Sequence, residues 1–367
     1  MNEEKKEVKT SEPKRLLKVG ITQGDNNGIG YEVILKTFED ETMHDICTSI
    51  VYGSPRSATY HRKNLNLETN FTLINSAEEA HRDTLNMISC YDEELKIEIG
   101  KVSAEGGKSS VLALDRAVKD LKEGKIDILV TAPICKAAMR QVGFQYPGHT
   151  EYLQDKLGTE EPSGTLMILM NDVLRVALVT THIPISEVPK NITKENIIEK
   201  INIFFESLKK DFLISMPRIA VLSLNPHSSD EGLLGNEEEN IIKPAIEEAN
   251  KDRQKCFGPY AADGFFGSGM YKHFDGVLAM YHDQGLAAFK ALADDDGVNF
   301  TANLNGVRTS PAHGTAFDIA GKGEANENSL RQAIFKGIDI YNNRKMYNEA
   351  KANKLEIKID NKQKMIE

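Results

Sequence analysis

The 367-residue sequence contains no run of about eighteen apolar residues, so a membrane-spanning helix is not expected. It also lacks paired cysteines. The four present (Cys47, Cys90, Cys135, Cys256) form neither a CxxC pair nor a zinc-finger spacing, and free thiols in a reducing cytosol are the simplest expectation. Positive charge is not in excess. A net charge of −10 argues against a general nucleic-acid binder, which needs clustered Lys and Arg, but leaves room for a small anion held by a few local cations. The N-terminal MNEEKKEVKTSEPK has no hydrophobic core and reads as neither signal peptide nor anchor. Neither a GxGxxG fingerprint nor a P-loop lysine is found, and no internal repeat is visible.

What remains is an ordinary globular composition, 40% hydrophobic and 27% charged, in a chain long enough for two cores. Short apolar runs alternate with amphipathic stretches. Leu16–Thr22 reads as a strand running into a glycine-rich turn at 23–30 and a helix from about Tyr31. Cys47–Gly53, Ile126–Val130 and Ile219–Leu224 read as further strands. Ser109–Leu121, Ile197–Leu208, Glu237–Ala249 and Gln332–Ile340 read as helices. Thr165–Met170 and Val173–Thr180 suggest a hairpin turning at Asn171-Asp172, and residues 60–105 are the least legible region. Such alternation implies an α/β architecture with a largely parallel sheet. The expected organisation is a disordered tail (1–13), a first α/β domain (14–150 with 300–350), a second (151–299), and a C-terminal extension (351–367).

Three apolar runs end in histidine: VLRVALVTTH at His182, RIAVLSLNPH at His227 and DGVLAMYH at His282. In parallel α/β sheets the carboxyl ends of strands face the ligand crevice. Imidazoles delivered there by separate strands could converge on one metal with coordination positions open to substrate. Taken singly, each is as readily a hydrogen-bonded turn residue. His44, His61 and His81 lack this placement and are expected at the surface. His149 and Thr150, after a glycine and before a helix, suggest an anion seat or an ordinary N-cap at Thr150. Lys290, Asn299 and Arg308 could supply donors to phosphate or carboxylate, or be solvated surface residues.

The motifs GDNNGIGYE, TAPICK, PGHTEYL, TTHIPI, LNPH, YHDQGLAAFK and NLNGVRTSPAHGTAFDIAGKG occur in that order along nearly the whole chain. In this respect the sequence resembles the 4-hydroxythreonine-4-phosphate dehydrogenase family of vitamin B6 biosynthesis. The ending HGTAFDIAGKG also resembles the adenosine-binding loop of isocitrate and isopropylmalate dehydrogenases. The resemblance implies a two-domain α/β/α fold of the isocitrate/isopropylmalate dehydrogenase type, with mostly parallel sheets and the active site in the interdomain cleft. It implies a cytoplasmic homodimer with shared active sites, NAD (NADP as the alternative), and one divalent metal per subunit: zinc, magnesium, manganese or cobalt.

Carried over by residue, the resemblance makes His182, His227 and His282 metal ligands. It makes His149, Thr150, Lys290, Asn299 and Arg308 substrate contacts, and His313, Gly314, Thr315 and Asp318 the cofactor loop. Asp263 and Asp283 become candidates for the proton acceptor, or for orienting a ligand histidine. The family commonly has Asp-Pro-Ala-Gly-Ile-Gly where this chain has Asp25-Asn26-Asn27-Gly28-Ile29-Gly30, which puts the turn's rigidity in question. Two rivals remain. One is a paralogue acting on phosphothreonate or a cis-dihydrodiol. The other is a metal-dependent hydrolase or non-catalytic anion binder, which would have no need of HGTAFDIAGKG.

Overall fold

Short runs, most of them apolar and buried, make the strands of the computed structural model, which describes residues 15–92, 94–160, 164–251 and 255–353. In chain order these are β1 (Lys18–Thr22), β2 (Thr48–Gly53), β3 (Phe71–Ile74), β4 (Leu85–Ser89), β5 (Ile128–Thr131) and β6 (Leu166–Met170). They continue with β7 (Arg175–Leu178), β8 (Arg218–Leu222), β9 (Lys255–Tyr260), β10 (Gly276–Ala279), β11 (Val298–Ala302) and β12 (Val307–Pro311). The expected tail, and the extension beyond residue 353, lie outside the described residues. The chain divides into two units, residues 1–157 with 305–334 and residues 158–304 with 335–367.

In the first unit the strands run β3-β4-β2-β1-β5-β12, and every pairing is parallel. The central strands β1, β2 and β5 are apolar and buried along nearly their whole length, as strands covered on both faces must be. Ala104–Lys122 is the amphipathic crossover before β5, capped by the Ser103 side chain accepting from Gly106 N–H. Residues 60–105, opaque in the sequence, supply β3 and β4.

In the second unit the order is β11-β6-β7-β10-β8-β9. The pairs β11–β6 and β6–β7 are antiparallel, whereas β7–β10, β10–β8 and β8–β9 are parallel. The expected hairpin is β6–β7: Asn171 Oδ1 accepts from Val173 and Leu174 N–H at 3.0 and 2.9 Å, closing the turn with its own side chain. Helix Lys194–Lys210 buries Ile197, Ile201, Phe204 and Leu208 in one stripe. Each such side chain contributes about 1.5–3 kcal/mol of burial. The helix expected at 237–249 begins with a π-helical turn, Glu238–Ile242, before Lys243–Lys251. The closing helix runs longer than its sequence pattern suggests, Asn328–Ala352. All four cysteines are free, and no helix among the described residues is long and apolar enough to cross a membrane.

Candidate active site

Within the second unit, β7, β10 and β8 are neighbours and point the same way, so their carboxyl ends lie along one edge. His182, His227 and His282 follow those three ends in the chain. The pairing of β7 with β10 extends past the strands: Val179 N–H donates to Ala279 O at 2.9 Å and Thr180 N–H to Met280 O at 3.2 Å, while Thr180 Oγ1 donates to the same oxygen at 2.7 Å. This zipper brings the His182 and His282 rings to a centroid separation of 5.9 Å.

His282 opens helix His282–Leu292. That helix lies close on the sheet because Gly285 has no side chain; a Cβ there would stand 2.7 Å from Val176 Cγ1. Asp283 Oδ1 lies 2.7 Å from His282 Nδ1, an arrangement that puts the proton on Nδ1 and leaves the Nε2 lone pair for a ligand. Of the two roles considered for Asp283, this contact favours orientation.

His227 stands on an unusual stretch of backbone. His227, Ser228, Ser229, Asp230 and Glu231 all have left-handed φ, between 47° and 67°. Such a conformation costs about 1–2 kcal/mol per residue for residues with a Cβ, and it persists where the surroundings impose it. His227 lines a cavity of about 500 Å³ with Asp263, Phe266, Tyr281 and Gln284. Asp263, in the first turn of Ala262–Gly267, therefore opens into the same space as His227. The structure brings His182 and His282 together and sets His227 in a cavity beside Tyr281. Among the described residues no three His, Cys, Asp or Glu side chains stand placed to hold a metal ion. The donor set itself, imidazoles with one ring oriented by a carboxylate, is of the kind that suits zinc or cobalt.

The first unit carries a cluster of cations. Arg308, on β12, is 2% exposed, and its guanidinium donates to Thr131 Oγ1 from Nε at 3.1 Å and from a terminal nitrogen at 2.6 Å. Burial pulls its pKa down to about 9, still charged at neutral pH. The surface-residue alternative for Arg308 is thereby excluded. His149 has its ring Nε2 sealed from solvent without a hydrogen-bond partner. Burial, with Arg308 and Lys136 as charged neighbours, holds its pKa well below the usual histidine range, so the imidazole is neutral at pH 7. Positive charge at this seat comes from Arg308 and Lys136, and His149 offers a neutral ring nitrogen.

Helix His149–Leu157 begins at His149, so Thr150 lies within its first turn and is not its N-cap. Lys136 and Thr131 carry no distinguishing signal in the sequence, although TAPICK begins at the last residue of β5 and places Lys136 after that strand just as the histidines follow theirs. Lys290 and Asn299 belong to the second unit; Lys290 is exposed, and the Asn299 side-chain oxygen is buried without a partner.

The loop His313–Asp318 follows β12. Its backbone is anchored where Thr315 O accepts from Ile29 N–H at 3.1 Å; a Cβ on Gly28 would stand 2.8 Å from that oxygen, so glycine is required for the close approach. Gly314 and Asp318 are exposed, and His313 Nδ1 lies 3.1 Å from Gly314 O. An anchored backbone with an exposed Gly314 and Asp318 fits a cofactor-carrying loop.

The turn at 25–28 persists without proline. Gly28 N–H donates to Asp25 O at 3.0 Å, and the Asn27 amide bonds Glu98 N–H, Lys101 O and Ser103 Oγ at 2.7, 3.0 and 2.9 Å. Three side-chain bonds replace the stiffness of a ring. One surface expectation is corrected: His61 is 1% exposed, stacked on Tyr31, with Nε2 2.8 Å from Asn26 O.

Asp25 shows a pH signature. Burial pushes its carboxyl up to about 6, and Oδ2 has no partner. A raised carboxyl holds its proton more tightly when folded, so its contribution is complete below about pH 4 and is lost as pH rises through 6. Asp25→Asn should therefore match wild type near pH 4 and be more stable at pH 7, by about 3 kcal/mol at most, or several degrees in Tm. Calorimetric melting across that range checks it.

The family model for pyridoxal phosphate biosynthetic protein PdxA matches residues 45–336. A 4-hydroxythreonine-4-phosphate dehydrogenase of Bacteroides thetaiotaomicron is 58% identical over 339 residues, 92% of this chain and 93% of the relative. A putative D-threonate 4-phosphate dehydrogenase of Oceanobacillus iheyensis is 37% identical over 326 residues, 88% and 97% of the two chains. The crystal structure of a 4-hydroxythreonine-4-phosphate dehydrogenase from Klebsiella pneumoniae superposes with a TM-score of 0.75 at 31% identity, covering 89% of this chain and 99% of that one. The chain thus belongs to the PdxA family of pyridoxal phosphate biosynthetic proteins and is a dehydrogenase, as these relatives are.

Proposed function

We propose that the chain oxidises 4-phosphohydroxy-L-threonine to 2-amino-3-oxo-4-phosphooxybutanoate with NAD. Loss of carbon dioxide from this β-keto acid then gives 3-amino-2-oxopropyl phosphate. The observation that carries the reading is the zipper of β7 and β10, which sets the His182 and His282 rings 5.9 Å apart at the carboxyl edge of parallel strands. His182, His227 and His282 would hold a divalent cation, zinc or cobalt by ligand type with magnesium and manganese as harder alternatives. When bound, that cation supplies Lewis acidity toward the substrate alcohol and NAD supplies the hydride acceptor.

The chain's own residues do the rest. Asp283 keeps the His282 ring turned with Nε2 outward. Arg308 and Lys136 supply positive charge for the substrate's anionic groups, and the neutral His149 ring supplies a hydrogen-bonding nitrogen; Thr150, Lys290 and Asn299 complete the proposed contacts. Asp263, facing the cavity that His227 lines, is the proton acceptor of this reading. The loop His313, Gly314, Thr315 and Asp318 would seat the adenosine of NAD. In this reading the enzyme is a homodimer whose subunits share active sites.

A second reading, oxidation of D-threonate 4-phosphate, draws support from the relative of that name. The two substrates differ by an amine or a hydroxyl beside the reacting alcohol. The 58% identity to a 4-hydroxythreonine-4-phosphate dehydrogenase favours the first. NADH formation should show kcat/KM at least tenfold higher with 4-phosphohydroxythreonine than with phosphothreonate; the reverse order would transfer the assignment to the second reading.

A further inference from the structure

The loop that carries His227 is held by two side chains that the proposed chemistry does not use. Glu238, fully buried at the start of the π-helical turn, accepts through Oε1 from Leu224 N–H at 2.7 Å and Asn225 N–H at 2.8 Å. Its Oε2 accepts from Asn225 Nδ2 at 2.9 Å, and Glu237 accepts from the same amide at 2.7 Å. On the other side, Gln284 spans two strand ends: its Oε1 accepts from Met280 N–H at 2.7 Å and its Nε2 donates to Ser223 O at 2.6 Å. Residues 223–225 are therefore gripped from the helix behind them and from the helix that His282 opens.

Three features make this more than loop packing. A buried carboxylate is costly unless well paired, and here it is spent on three donors of one short segment. That segment ends two residues before His227, where five successive residues adopt left-handed backbone that only an imposed geometry sustains. π-Helical turns also recur at functional sites.

We propose that Glu238, together with Gln284, is a positioning residue for His227. The pair fixes the start of the loop against the end of β10, and so fixes where the His227 imidazole sits relative to His282. The inference rests on the reading of the three histidines as metal ligands.

The test is a titration of metal-free full-length protein with Co2+, followed by calorimetry and by the visible absorption of the bound ion, which reports its ligand geometry. Glu238→Gln keeps the shape but turns an acceptor into a donor facing the Asn225 amide. It should weaken Co2+ binding about tenfold and shift the visible band, with a circular dichroism spectrum like wild type. Gln284→Met should do likewise, and Glu238→Ala should weaken binding about a hundredfold. His227→Ala is the control for the underlying reading. If it binds Co2+ like wild type, the metal-site reading itself fails. If it loses binding while folded Glu238→Gln and Gln284→Met keep wild-type affinity and spectrum, only the positioning role is overturned. Should Glu238→Ala fail to fold, the two milder variants decide.

Discussion

Replacing His182, His227 or His282 singly by alanine should lower kcat/KM by at least 10⁴-fold and leave a folded protein without tightly bound metal. The size of the effect follows from what an alcohol needs before it can yield hydride. An alcohol's proton is lost at neutral pH only with several kcal/mol of charge stabilisation, and each 1.36 kcal/mol is tenfold in rate. The fold survives because these imidazoles lie outside the packed core: His182 and His227 are exposed and the His282 side chain is 39% exposed. Steady-state NADH formation, metal analysis and circular dichroism on the three variants check the prediction. A His227→Ala protein with full activity and no metal would contradict the ligand assignment.

Arg308→Ala should raise KM for the phosphorylated substrate by about a hundredfold and change kcat less. The guanidinium is already desolvated and oriented by two hydrogen bonds to Thr131, so a substrate anion bound there would meet a donor already stripped of water. Losing one partner of a buried charge pair costs about 2–5 kcal/mol, and about 3 kcal/mol corresponds to roughly 150-fold in affinity. Arg308→Lys should not restore KM, because an ammonium cannot reproduce a planar, bidentate fork. Michaelis constants for the three proteins decide, and an unchanged KM in Arg308→Ala would remove Arg308 from the substrate site.

The alternation of strand and helix was legible where a strand buried on both faces is also a continuous apolar run. The runs at Ile128–Thr131 and Gly276–Ala279 are of this kind. It was not legible at β3 and β4. Edge strand β3 leaves Leu73 61% exposed, and β4 buries Asn86, whose amide is satisfied by Ser49 O, His81 O and Thr84 O. No local pattern encodes a polar residue made internal by partners elsewhere. His61 went astray for a related reason: its helix buries Ser57, Ala58 and His61, a face with no apolar stripe.

The histidines could be read because one topological rule places strand ends at a ligand edge, and three residues obeyed it. Lys136 obeys it too, yet a lysine after a strand looks like any solvated lysine until His149 and Arg308 are seen beside it. Glu238 and Gln284 gave no signal at all, since their partners are backbone atoms of another segment. The sequence pattern thus exposes groups placed at strand ends more readily than groups that hold other groups still.

The central claim is that imidazoles from separate strands serve one cation where NAD accepts hydride. The most direct test is NADH formation from 4-phosphohydroxythreonine by protein stripped with a chelator and then resupplied with zinc, cobalt, manganese or magnesium. Activity that vanishes on stripping and returns with one or more of these ions is the result expected. Undiminished turnover by the stripped protein would show that oxidation proceeds without the cation and would contradict the account.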